Sequence, residues 1–253
     1  MAKIYNKKEI EILREGGRRL ASVVKAIKLE IKAGSTGLEI DELAFNLMRE
    51  IGGRPSFLHH DGFPASICLS INEEVVHSVP SKRKFEDGDL VGIDAGLFFR
   101  GLHTDMAATV AVGRIDQKIK RFVKTAKKTL EIAIKQALPG KTTGDIGFAI
   151  QDFVEKQGFS VVKELSGHGV GHQLHEKPII PNFGKKGKGT RLLPGMVIAI
   201  EPIINLSGRE IETAIDGWRV MTKDGSPSAH FEHTILITKN GNEILTLSNT
   251  TKS

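Results

Sequence analysis

Apolar positions in the first fifty residues recur at helical spacing, then give way to alternating and β-branched runs, and the same order returns in the second half of the chain. Asn6 followed by Glu9 has the form of a capping box, and an amphipathic run extends from it to about Ile31. A second helix is expected after Thr36, ending at Gly52-Gly53. Asp116 is placed to cap a long basic helix ending near Leu138-Pro139-Gly140, and Thr143 to cap a fourth that runs to about Gln157-Gly158. Strands are expected between these helices at residues 65–76, 89–95, 105–112, 196–200 and 231–238.

The segments repeat. Gly34-Ser35-Thr36-Gly37-Leu38-Glu39-Ile40 returns loosely as Gly140-Lys141-Thr142-Thr143-Gly144-Asp145-Ile146, each opening a helix after a longer one. Gly88-Asp89-Leu90-Val91-Gly92-Ile93-Asp94 matches Gly195-Met196-Val197-Ile198-Ala199-Ile200-Glu201: a glycine starts an apolar strand that ends in a carboxylate. Asp105 and Glu232 each open a further strand-like run. The economical reading is one α/β (α+β) unit used twice, with halves of about 7–113 and 116–241 meeting about a pseudo-twofold axis. No Pro/Ser-rich linker divides them, so residues 1–253 are expected to form a single domain.

Composition narrows the class. The 253 residues are 40% hydrophobic and 26% charged, as in a globular protein. No apolar run is long enough to span a bilayer, and the charged N-terminus lacks the apolar region of a secretory signal. Cys68 is the only cysteine, so an intramolecular disulfide is impossible; the cytoplasm is the expected location. The net charge of +6 has two readings, ordinary lysine-rich solvation or docking on a polyanion such as ribosomal RNA. The local candidate for docking is Lys185-Lys186-Gly187-Lys188-Gly189-Thr190-Arg191, although a charge run in a glycine-rich loop is usually a solvated one.

The acids carry the chemistry. Asp94 ends a buried-looking strand and Asp105 stands near the start of the next. If residues 95–104 connect them as a hairpin, the two aspartates face each other, with Cβ atoms roughly 4.5–5.5 Å apart, where like charges destabilise. A divalent cation would compensate; the alternative, for any single aspartate near a turn, is a carboxylate pointing to solvent. Glu201 emerges from an apolar strand stopped by Pro202, and Glu232 just precedes Ile235-Leu236-Ile237. His168, among the glycines of Gly167-His168-Gly169-Val170-Gly171, is a fifth candidate ligand, with glycines that let backbone approach whatever the histidine binds. Four ionised carboxylates balance two divalent ions, between which water ionises near neutral pH. Carboxylate-rich ligation with one imidazole suits Co, Mn, Fe or Zn. Gly140-Lys141-Thr142 has the look of a phosphate loop but lacks the upstream glycine and follows a helix.

Taken together, several stretches resemble the type I methionine aminopeptidases almost from end to end. They are Ser70 to His77, Asp94 to Gly96, Thr104-Asp105, Gly167 to Glu176, Ile200-Glu201-Pro202, Asp216-Gly217-Trp218 and Phe231 to Thr234. The resemblance implies the pita-bread fold, a curved antiparallel sheet flanked by helices. It implies that Asp94 chelates one metal, that Asp105 and Glu232 bridge two, and that His168 and Glu201 complete the other. His77 would contact the scissile amide nitrogen, His175 would donate to the carbonyl oxygen, and Glu201 would shuttle the proton. His77 also reads as a satisfied core histidine and His175 as an exposed loop residue. The methionine pocket would be Phe57, His60, Phe63, Cys68, Leu174 and Trp218, where His60 departs from a frequent tyrosine and Leu174 from a common aromatic; Trp218 reads equally as a core or rim aromatic. His59, His103, His172, His230 and His233 receive no catalytic role, nor does His60.

The activity so implied is removal of the first methionine from nascent polypeptides before a small second residue, by a monomer in the cytoplasm. Two rivals remain. X-Pro aminopeptidases and dipeptidases share fold and ligands but usually carry an extra N-terminal domain, whereas this chain starts almost directly in the repeat. Non-catalytic relatives that bind the ribosome or nucleic acid tend to lose ligands, and all five are present here.

Overall fold

The computed structural model describes residues 2–248. Helix α1 (Lys7–Glu30) begins where Asn6 Oδ1 accepts from the amides of Lys8 and Glu9 at 2.9 and 3.1 Å, while Glu9 accepts from Asn6 N–H at 2.8 Å. The expected capping box is therefore made. Helix α2 (Gly37–Glu50) is boxed by Thr36 and Glu39, and α3 (Gln117–Gln136) is capped by Asp116. For α4 (Thr143–Lys156) the cap is Thr142, one residue earlier than expected, because its box partner Asp145 stands three positions on. The duplication extends to the backbone leading in: Thr36 bridges to Lys84 and Thr142 to Arg191, each four residues before the glycine of its strand motif.

The strands of the first half are β1 (Arg54–Pro55), β2 (Cys68–Ile71), β3 (Glu74–Val76), β4 (Leu90–Phe99) and β5 (Leu102–Ala111). Those of the second are β6 (Ser160–Val161), β7 (Ser166–Gly169), β8 (Glu176–Pro181), β9 (Val197–Ile200), β10 (Ile203–Asn205), β11 (Ile211–Thr213), β12 (Val220–Thr222), β13 (Ser228–His230), β14 (His233–Ile237) and β15 (Asn242–Ile244). The strand expected at 65–76 is split at Asn72, whose φ of 56° turns the chain. All named pairings are antiparallel: β4 pairs with β1, β2 and β5, and a second sheet runs β15-β14-β9-β7-β8.

Each half has its own apolar layer. Leu20 and Ile27 of α1, with Ile40 and Met48 of α2, close over Val91, Ile93 and Leu97 of β4. Phe122 and Leu130 of α3, with Ile146 and Ile150 of α4, close over Ile198, Ile200, Ile235 and Ile237. Each such side chain contributes about 1.5–3 kcal/mol by leaving water. The halves meet where β5 lies against β13 and β14. Thr234 Oγ1 bonds both the amide and the carbonyl of Asp105, Thr109 Oγ1 does the same for His230, and Glu232 N–H donates to the Ala107 carbonyl at 2.9 Å. Antiparallel sheets flanked by helices are the architecture the resemblance implied.

Candidate metal centre

Asp94 and Asp105 sit on the long hairpin β4–β5, whose turn is at Arg100-Gly101 rather than spread over residues 95–104. The register pairs Asp94 with Ala107 and Gly96 with Asp105. The two acids are therefore diagonal neighbours on one face and not directly opposed, which corrects the sequence expectation and eases their repulsion. Gly96 leaves the room opposite Asp105 to Ser56 and Phe57: a Cβ there would come within 2.7 Å of Ser56 Cβ and 2.9 Å of Phe57 Cε1.

The second pair arises from two breaks at the same level. Pro202 interrupts β9–β10 just after Glu201, and Phe231-Glu232 interrupts β13–β14. The register joins His233 with Ile200 on one side of the breaks and Ile203 with His230 on the other, so Glu201 and Glu232 leave neighbouring strands together. His168 projects from a bulge in β7, a feature that re-aims a side chain. Its Nδ1 lies 2.9 Å from the Gly169 carbonyl, which makes Nδ1 the donor and leaves Nε2 bare and 3.4 Å from Glu201 Oε1. The flanking glycines serve the sheet: a Cβ on Gly167 would strike the Ala199 carbonyl, and one on Gly169 the Lys177 carbonyl. This replaces the expectation that they admit a ligand.

Ligand atoms of Asp105, His168 and Glu232 all lie within 4.8 Å of one another. Asp105 and Glu232 are buried, and one oxygen each of Asp94, Asp105 and Glu232 has no hydrogen-bond partner. Unpaired carboxylates are costly in such a place. Burial, with the negative charge of Glu201 adding to it, pushes the Asp94 carboxyl up to about 7 against the pull of His230; burial alone pushes Glu201 up to about 8. Asp105 and Glu232 are raised well above the usual range, by burial first and by their acidic neighbours second. Burial also holds His168 down to about 4, so it is a neutral imidazole ready to ligate. Orphaned hard oxygens with one such nitrogen fit a pair of divalent cations.

One cavity of about 880 Å³ opens over these groups. Asp94, Asp105, His168, Glu201 and Glu232 form its floor, and His77 and His175 stand on its wall. His77 is exposed into the cavity rather than set in the core, and its φ of 59° is a left-handed conformation that neighbouring structure must hold. The His175 ring packs edge-on against His168 with centroids 4.5 Å apart, and burial holds its pKa down to about 4. Phe57, Phe63, Cys68 and Leu174 form one buried apolar cluster at the end of the cavity, with Trp218 edge-on to Phe63 at 5.3 Å. His60 stands at the mouth, 5.4 Å from the His175 ring. His230 escaped the sequence reading, yet its Nε2 lies 3.5 Å from Glu201 Oε2. The sequence offered only the alternate spacing of His230 and Glu232, and the chain leaves strand geometry at Phe231-Glu232.

Comparison with known proteins agrees with this geometry. Residues 11–239 match metallopeptidase family M24. Methionine aminopeptidase 1 of Bacillus subtilis is 45% identical over 239 residues, covering 94% of this chain and 96% of that protein. The crystal structure of methionine aminopeptidase from Thermotoga maritima superposes with a TM-score of 0.96 at 41% identity, covering 97% of this chain and 99% of that one. A prolidase from Pyrococcus furiosus shares the fold at a TM-score of 0.80 and 27% identity, and this chain covers 66% of its length.

Proposed function

The chain belongs to metallopeptidase family M24, and on that premise we propose that it removes the N-terminal methionine of polypeptides, preferring a small second residue. The observation that carries this reading is the convergence of four enclosed carboxylates from both halves, with His168, under a single cavity that ends in an apolar pocket. Asp94, Asp105, His168, Glu201 and Glu232 would hold two divalent ions. When bound, the ions supply an ionised water at neutral pH and polarise the scissile carbonyl. Glu201 takes the proton of the attacking water and passes it to the departing amine. His175 donates to the carbonyl oxygen as charge develops there, and His77 holds the scissile nitrogen. Phe57, His60, Phe63, Cys68, Leu174 and Trp218 receive the methionine side chain, whose thioether packs well against aromatic edges. Both halves act as one catalytic domain, and the active species is a monomer.

The ribosome is the proposed place of encounter with nascent chains, and the basic surface supports this at a site other than the 185–191 loop. Helix α3 carries seven basic residues and one acid, a net +6 equal to that of the whole chain. The rest of the molecule is neutral, so α3 is the face with the strongest attraction for phosphates. No helix among the described residues is long and apolar enough to cross a membrane.

Cleavage of Met-Ala-Ser and of an X-Pro peptide by metal-stripped and reconstituted protein tests the reading. Metal-dependent hydrolysis of Met-Ala-Ser is expected; hydrolysis of the X-Pro peptide alone would transfer the assignment to the prolidase branch.

A further inference from the structure

His230 has no part in the roles assigned above, yet it is the most tightly placed ring near the acids. Its amide donates to Thr109 Oγ1 at 2.9 Å and its carbonyl accepts from the same hydroxyl at 3.0 Å, clamping the residue to β5. The residue is 4% exposed, and its Nε2 has no hydrogen-bond partner. That nitrogen lies 3.5 Å from Glu201 Oε2 and 3.9 Å from Glu232 Oε2. Glu201 stands between two imidazoles, since its other oxygen faces His168 Nε2 at 3.4 Å. His230 is also absent from the cavity wall that contains the five candidate ligands, so it stands behind them, away from substrate.

Ionised carboxylates only accept hydrogen bonds, so a neutral imidazole facing two of them is attractive when Nε2 carries the proton. We propose that His230 is a positioning residue: its Nε2–H donates to Glu201 Oε2 and fixes the rotation of that carboxylate, so that Oε1 faces the ions and the cavity. The inference rests on the metal-centre reading above. The 3.5 Å separation exceeds a formed hydrogen bond, as is common in an unloaded site, and a small rotation of Glu201 would close it. His230 thus acts on metal affinity and on catalysis through Glu201, without touching either ion or peptide.

The test is titration of metal-stripped wild type, H230Q and H230L with Co(II), followed by calorimetry and by visible absorption bands. Wild type is expected to bind two ions. H230L should bind roughly 10–100-fold more weakly at one site with altered bands, as loss of an outer hydrogen-bond partner does, while H230Q, which keeps an N–H donor, should stay within about threefold. Wild-type affinity and spectrum in H230L would overturn the proposal. So would H230Q as weak as H230L, because the retained N–H would then restore nothing. A wild type that takes up no Co(II) would sink the metal-centre reading itself, and this inference with it. Nitrogen-15 spectra of histidine-labelled, Zn(II)-loaded wild type read the tautomer directly, with H230Q serving only to identify the signal. The signal absent from H230Q should be an Nε2-protonated ring; a bare Nε2 would refute the donation.

Discussion

Removing the ions should make the folded protein lose stability as pH rises through neutrality, the reverse of the common behaviour of carboxylates. Without cations the Asp94 carboxyl sits at about 7 and Glu201 at about 8, whereas in the unfolded chain both ionise near 4. The folded chain therefore holds more protons than the unfolded one between those limits, and stability falls as pH climbs through the folded values. Buried histidines act oppositely. His103, His168, His175 and His233 are held down to about 4, so the folded chain holds fewer protons and gains stability as pH rises to about 6.5, the unfolded value. At pH 6.5 an unfolded histidine is still half protonated, so between pH 6.5 and 8.5 these four together return roughly 1–2 kcal/mol, against a larger loss from the acids. Over this window Asp94 accounts for about 1 kcal/mol of lost stability and Glu201 for about 2, with Asp105 and Glu232 acting in the same direction. The net loss, about 1 kcal/mol, lowers the melting temperature of a chain this size by roughly 2–4 °C. Thermal melts of chelator-treated protein at pH 6.5, 7.5 and 8.5 read the effect, and saturating Mn(II) should flatten it, because ligated carboxylates stay ionised throughout. A melting temperature that holds steady or rises across the window in chelator would refute the clustering of the acids.

Asp105→Ala should keep its circular dichroism spectrum yet lose bound metal, with activity falling by more than the roughly 10–100-fold that outer partners cost; full activity in this variant would remove the bridging role. His175→Ala should lower kcat by about 10²–10³ with metal content intact, the usual effect of deleting a donor to developing oxyanion charge; an unchanged kcat would return His175 to an exposed loop residue. Gly96→Ala should destabilise by roughly 1–3 kcal/mol through overpacking against Ser56 and Phe57, and its KM for Met-Ala-Ser should rise. Unaltered melting and KM would show that Ser56 and Phe57 yield freely.

Helix ends were legible because caps are local: Asn6 with Glu9 reads directly, and the one slip fell between two adjacent threonines, Thr142 and Thr143. The long strands were legible in place but not in length. Gly96 ends the apolar pattern of β4 on paper, whereas in space Leu97 and Phe99 continue inward and the chain turns at Arg100-Gly101. That error carried into the facing of Asp94 and Asp105, since register depends on where a hairpin turns and no single strand records it. Strands of two or three residues, such as β1 and β6, have no period to detect. His230 was passed over because a buried histidine within a strand looks like core, and its unpartnered nitrogen is visible only beside Glu201.

The duplicated unit explains why the acids can stand so close without splitting the fold. Each half has its own apolar layer, and further buried clusters span the seam, joining Leu13 and Leu102 to Val197 and Leu236, and Val75 and Val76 to Val162 and Ile203. Beside the acids the seam is also fastened by hydrogen bonds that do not titrate, from the Thr109 hydroxyl to the His230 backbone and the Thr234 hydroxyl to the Asp105 backbone, within two residues of the acids they place. Asp94 and Asp105 come from one side, and His168, Glu201 and Glu232 from the other. With the proposed ligand set, ions bound among them would tie the halves together where repulsion is greatest, and one set of side chains would set both the metal requirement and the pH response of stability.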